Sequence, residues 1–128
     1  MSQTITAKPK TVASYEIEEP RVEIVSFKDI SVLSFSKNEN LNKEYVDYFL
    51  QTLNTLKHSG KKKFIIDFSN IKDFEESSLV YLLDRLQELK SRIAFVVKNY
   101  KIKTLFTSLK INLWASIFAK VDEAIKEF

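Results

Sequence analysis

From Asp73 to Ser78 the chain reads Asp-Phe-Glu-Glu-Ser-Ser, which puts three carboxylates and two hydroxyls into six residues. Acids at that density complement the positive end of a helix dipole, and Asp73 and Glu76 have the spacing of a capping-box-like pair. The same groups, exposed on a rim, offer polar and directional contacts to a protein partner. The other acid pairs, Glu18-Glu19 and Asp122-Glu123, read as solvated faces. The one histidine, His58, has no Asp, Cys or second His beside it. Its place in the last turn of a helix suits a surface cation better than a ligand. Cysteine is absent, which removes disulfides, thiolate metal sites and cysteine nucleophiles. No G-x-S-x-G, Walker loop, H-E-x-x-H or Cys/His cluster occurs. The expectation is a non-enzymatic chain with no metal and no cofactor.

The residues behind that run define the elements that must hold it. Leu79, Leu82, Leu83, Leu86 and Leu89 recur at spacings of three and four, an amphipathic helix that begins between Asp73 and Ser78. Before it, Phe64-Ile65-Ile66-Asp67-Phe68 is a short apolar run, read as a buried central strand. Ser69 to Glu76 is polar except for Ile71 and Phe74 and reads as a loop. Upstream, Val22–Phe27 and Ile30–Phe35 alternate apolar and polar, with Val22, Ile24 and Ser26 on one face. Lys28-Asp29 between them is a hairpin turn, although not a favoured pair. Asn38 to Asn42 offers N-caps to a helix bearing Leu41, Tyr45, Tyr48, Phe49, Leu53 and Leu56. Gly60, the only glycine, suits the left-handed position just past that helix. Downstream come a strand at Ile93–Val97, a helical face at Ile102, Leu105, Phe106 and Leu109, an edge strand within Leu113–Phe118, and a terminal helix with Val121, Ala124, Ile125 and Phe128. Strands alternating with helices imply right-handed crossovers and a mostly parallel sheet.

The segment from Ile65 to Leu83 resembles the signature of the STAS family, which includes bacterial anti-sigma factor antagonists. There a strand ending in an apolar-Asp-apolar-Ser run leads through a short loop to Asp-Ser-Ser-Gly and then a leucine-rich helix. Without gaps, Asp67 and Ser69 match the strand end, Phe74 the apolar residue before the motif, and Leu79, Leu82 and Leu83 the helix. The order of elements from about Val22 to Phe128 agrees as well, including the closing Ile117-Phe118 and Val121 to Ala124. The resemblance implies an α/β fold, a single STAS-like domain with a mixed, mostly parallel sheet of four to five strands packed against about four helices. It also implies partner binding and switching at Glu75, Glu76, Ser77 and Ser78. Tyr81 departs from the family's pattern, which has a small residue there; one position off the leucine stripe, it is expected to add an exposed aromatic anchor to that surface. The family's Asp falls on Glu75, its phosphorylated Ser on Glu76, its second Ser on Ser77 and its Gly on Ser78. A carboxylate thus stands where the family carries a regulatory phosphate. A one-residue slip would make Ser77 the phosphoacceptor, but it misplaces the helix leucines. The family's acidic residue before the first helix has Glu39 and Asn40 as candidates. The implied partner is a kinase-like anti-sigma factor or another signalling protein. Two other classes stay open: a scaffold or accessory STAS subunit of a stress-signalling or lipid-transport complex, and a small-molecule or nucleotide binder.

Composition bounds the rest. A chain of 128 residues suits one domain. Residues 1–14 are expected to form a flexible N-terminal arm and residues 15–128 the domain, with Tyr15–Glu19 a short edge strand ended by Pro20. One glycine in the whole chain argues against Gly-rich phosphate loops. Net charge is +3 with both signs mixed, and the lysines at 61–63 and at Lys98, Lys101 and Lys103 read as solvated turns. Most aromatics fall on apolar periodicities, so they read as core and no nucleic-acid partner is expected. No apolar stretch approaches the roughly 20 residues that span a bilayer. Met1 to Lys10 lacks the apolar block of a secretory signal. The expected location is cytoplasmic, without membrane insertion.

Overall fold

β1 (Val22–Phe27) and β2 (Ile30–Phe35) form an antiparallel hairpin in which Val22 faces Phe35, Ile24 faces Leu33 and Phe27 faces Ile30. The structure, a computed structural model, describes residues 22–36 and 39–128. The arm over residues 1–14 and the strand expected at Tyr15–Glu19 lie outside the described residues. After the hairpin come β3 (Glu39–Leu41), α1 (Lys43–His58), β4 (Lys63–Asp67), β5 (Ile71–Phe74), α2 (Glu76–Glu88) and β6 (Arg92–Val96). Then follow α3 (Tyr100–Ser108), a 3-10 turn at Ile111–Leu113, β7 (Ser116–Phe118) and α4 (Val121–Glu127).

The main sheet has the order β1-β2-β4-β6-β7, and every pair after the hairpin is parallel. The order advances in one direction, so right-handed crossovers place α1, α2 and α3 on the same face. Side chains alternate across a strand. Leu33, Phe35, Phe64, Ile66, Phe68, Ile93, Phe95 and Val97 therefore meet those three helices, while Ile30, Val32, Ile65, Ala94 and Val96 meet Ala124 of α4. Burial on both faces is why Phe64–Ile66 is continuously apolar. Phenylalanines dominate the larger core: Phe35 stacks on Phe49 at 4.7 Å and on Phe68 at 5.3 Å, and Phe95 meets Phe106 edge-on at 5.1 Å.

Three elements differ from the sequence reading. Leu41, expected on the first helix, is the last residue of β3, where it pairs with Phe74, and α1 starts only after the Asn42 cap. The stretch read as a loop contains β5, which pairs in parallel with β3 as a separate two-stranded sheet. Each strand is too short to show a period. The expected edge strand within Leu113–Phe118 is confined to Ser116–Phe118, because Ile111–Leu113 turns as a 3-10 helix that buries Ile111.

A chain with one glycine must still close its helices. Gly60 (φ 101) follows α1 as expected, but lysines take the left-handed position after α2 (Lys90, φ 59) and α3 (Lys110, φ 56), and Lys28 (φ 58) opens the hairpin turn. A side chain there crowds the following carbonyl, at about 1–2 kcal/mol, partly offset by the extra unfolded-state entropy of glycine. Lys90→Gly and Lys110→Gly are each expected to raise unfolding free energy by about 0.5–1 kcal/mol, read from the midpoint of urea denaturation at unchanged slope.

Candidate functional site

The parallel strands end on one rim, where register aligns Ser34, Asp67, Val96 and Phe118. α2 and α3 both start from this rim. At the exit of β4 the Asp67 carboxylate accepts the Ser69 backbone N–H at 2.9 Å and the Ser69 hydroxyl, a side-chain-closed turn. Phe68 donates its N–H to the Val96 carbonyl at 2.9 Å and buries its ring. Asn70 reaches across to the Phe35 carbonyl at 3.0 Å. The strand-end Asp and Ser of the motif thus shape the turn that launches the site.

β5 delivers the chain to Glu75, whose N–H donates to the Leu41 carbonyl and whose carbonyl accepts from Leu79, both at 3.0 Å. Glu75 is the N-cap of α2, with extended backbone (φ −86, ψ 124) and no side-chain bond to a helix N–H. Its carboxylate instead accepts the Ser78 hydroxyl at 2.8 Å. This reverses the usual capping box, with the acid at the cap and the hydroxyl three residues on. The expected Asp73–Glu76 pair does not form. Asp73 lies on β5, and Glu76 is the first helical residue.

Glu75, Glu76 and Ser77 are exposed on the rim. Ser78 is not: it is 3% accessible and lies on the same buried stripe as Leu79, Leu82, Leu83 and Leu86. The expectation that Ser78 presents itself to a partner is therefore corrected, and its hydroxyl serves to orient Glu75. Tyr81 is half-buried against the core. The Lys43 ammonium lies 5.3 Å and the Arg85 guanidinium 5.6 Å from its ring centre, a favourable arrangement of cations over an aromatic face. Tyr81 is thus part of the rim's wall and not a protruding anchor. Lys43 was not legible as a site residue, since only tertiary packing brings α1 to Tyr81. Its hydrogen bond to Asp47 holds its pKa above the ordinary lysine value, so the cation persists beside the ring.

The loop expected to hold the family's acidic residue, Ser36 to Asn40, is only partly within the described residues, and Asn40 is exposed. Trp114 is half-buried, with its ring edge-on to Phe95 at 5.8 Å. His58 closes α1, ahead of β4's start, at the sheet end opposite this rim, and its Nδ1 lies 2.9 Å from the Asn54 carbonyl oxygen. It cannot serve as a base for Ser77. Among the described residues no group of three or more His, Cys, Asp or Glu is placed to hold a metal ion, and no helix is long and apolar enough to cross a membrane.

No protein-family model matches the chain, and no curated protein matches it either. Solved structures do. A Thermotoga maritima protein assigned as an anti-sigma factor antagonist, TM1081, superposes with a TM-score of 0.68 at 20% identity, over 83% of this chain and 92% of that one. The anti-sigma factor antagonist SpoIIAA in its unphosphorylated form gives 0.62 at 18% identity, over 84% of this chain and 96% of SpoIIAA. The phosphorylated form of SpoIIAA, a Bacillus cell fate determinant, gives 0.58 at 16% identity, over 84% and 97%. Identities this low carry the fold and nothing finer, and the fold of this chain is that of the anti-sigma factor antagonists, the STAS fold.

Proposed function

We propose that the chain is a non-enzymatic regulatory domain of the bacterial cytoplasm that binds a protein partner through the start of α2, with Glu76 at the position where anti-sigma factor antagonists carry a phosphoserine. The observation that carries this reading is the helix start itself. Glu75 is fixed by backbone bonds to Leu41 and Leu79, while the side chains of Glu76 and Ser77 project free of the core. Pre-organised polar groups on a rigid element favour recognition, because little ordering remains to be done on binding. The partner class is a kinase-like anti-sigma factor, contacted by Glu75, Glu76 and Ser77 with Tyr81 at the edge. Ser78 is left out because it is buried.

The proposed switch differs from a phosphoserine switch in charge. A phosphate brings nearly two negative charges and three strong acceptors. Glu76 brings one permanent charge and cannot be esterified by a kinase that acts on hydroxyls. The domain is then locked near the weakly binding state. Incubation with a cognate anti-sigma kinase and ATP is expected to leave Ser77 unmodified. Mass spectrometry showing stoichiometric phosphate on Ser77 would overturn the reading and restore an ordinary phosphoswitch.

A further inference from the structure

Charge is segregated along the chain and therefore across the fold. From Leu89 to Val121 there is no carboxylate side chain; seven of the chain's 20 cations fall there and none of its 17 acids, so this segment carries +7 and the remainder −4. The segment builds β6, α3 and β7, one edge of the main sheet. Lys98, Lys101, Lys103, Lys110 and Lys120 are all exposed. None takes part in an ion pair among the described residues, where the pairs are Lys43–Asp47, Lys63–Asp29 and Arg85–Glu88. Lys98, Lys101 and Lys103 are solvated as expected, although Lys101 and Lys103 stand on α3 and not in a turn.

The same edge is concave and apolar. A hollow of about 500 Å³ opens between α3 and β7, lined by Val97, Phe106, Ile117 and Phe118 together with Lys103 and Thr107. A second hollow along α3 shares Lys103 and Thr107 and is walled by Tyr100, which is 80% exposed. Among the described residues the outer edge of β7 has no strand neighbour. Val97 and Phe106 are core residues that floor the hollow, while Tyr100 and Ile117 stand in water beside unpaired cations, which marks a surface suited to a partner.

We infer that this α3–β7 face docks an acidic stretch of a partner polypeptide, with one apolar side chain in the hollow and carboxylates against Lys103 and the flanking lysines. Six of the seven cations are lysines, compact point charges without the forked donors of arginine, and the one arginine, Arg92, lies over the Phe128 ring and does not line the hollow. An apolar hollow rewards a side chain, whereas a phosphate gains nothing from Phe106 and Ile117. A bilayer surface would meet a protrusion and not a concavity. The inference does not depend on the reading of Glu75 and Glu76, which lie at the start of α2.

A random peptide library selected on the full 128-residue chain tests it. Recovered peptides are expected to carry Asp or Glu flanking a Leu, Ile or Phe, and to shift the amide resonances of Lys103, Thr107 and Ile117. Lys103→Glu is expected to weaken them roughly ten-fold or more while leaving the fold intact. Raising salt to about 1 M, where the Debye length is about 3 Å, is expected to weaken them further. Recovery of neutral or basic peptides, shifts that map away from α3 and β7, unchanged affinity in Lys103→Glu, or tighter binding to phosphatidylserine vesicles or single-stranded RNA would each overturn the inference.

Discussion

Replacing Phe68 by alanine is expected to cost about 3–5 kcal/mol of folding stability, the range for truncating a fully buried Phe. Phe68 is 0% accessible and its ring meets Phe35 at 5.3 Å and both Phe95 and Phe106 at 5.8 Å. Its loss leaves a cavity bounded by β2, β6 and α3, which rigid neighbours cannot close by a local shift. Favourable ring geometry adds about 0.5–1.5 kcal/mol per pair beyond burial, so the upper half of the range is expected. The residue also anchors the turn into the site, since its N–H bonds Val96 and its carbonyl accepts from Ile71. Faster hydrogen exchange from Ser69 to Glu75 should therefore accompany the loss. Urea denaturation measures the cost, and a value under about 1.5 kcal/mol would mean that Phe68 is not where the four rings meet.

Leu79→Ala is expected to cost about 2–5 kcal/mol and Val80→Ala under about 1 kcal/mol. Leu79 is 0% accessible and its N–H closes the first turn of α2 onto Glu75, whereas Val80 is half-buried. The contrast tests register, which decides what stands at the proposed switch position. If Val80 proved the costlier site, α2 would be rotated by one residue, and Ser77 would move to the place assigned to Glu76.

Much of this arrangement is legible before any coordinates. The leucine spacing marks α2 because a helix must turn one stripe to the core, and Gly60 marks the end of α1 because a positive φ is needed there. The hairpin, the mostly parallel sheet and the four helices follow from periodicity and crossover rules. What escapes is set by tertiary contacts. β3 and β5 exist because they pair with each other, and neither is long enough to announce itself. Ser78 is buried because its position in the helix, and not its polarity, decides where it points, and Glu75 supplies the partner its hydroxyl needs. Lys90 and Lys110 at left-handed positions break a local preference that packing of α2 and α3 overrides. Tyr81 looks like a free aromatic until Lys43 of α1 is placed on its ring.

The central claim is that Glu76 holds a permanent charge where related folds carry a removable one. Titration calorimetry of the full chain and its Glu76→Ser variant against an anti-sigma factor kinase tests this most directly. Glu76 is exposed and makes no ion pair among the described residues, so the substitution should change folding stability by no more than about 0.5 kcal/mol. Any change in affinity then reports on the interface. Relief of one unfavourable interfacial charge predicts binding tighter by about 1 kcal/mol or more, a factor of roughly five. Unchanged or weaker binding by Glu76→Ser would contradict the account, leaving Glu76 as a dipole-complementing acid or a direct contact.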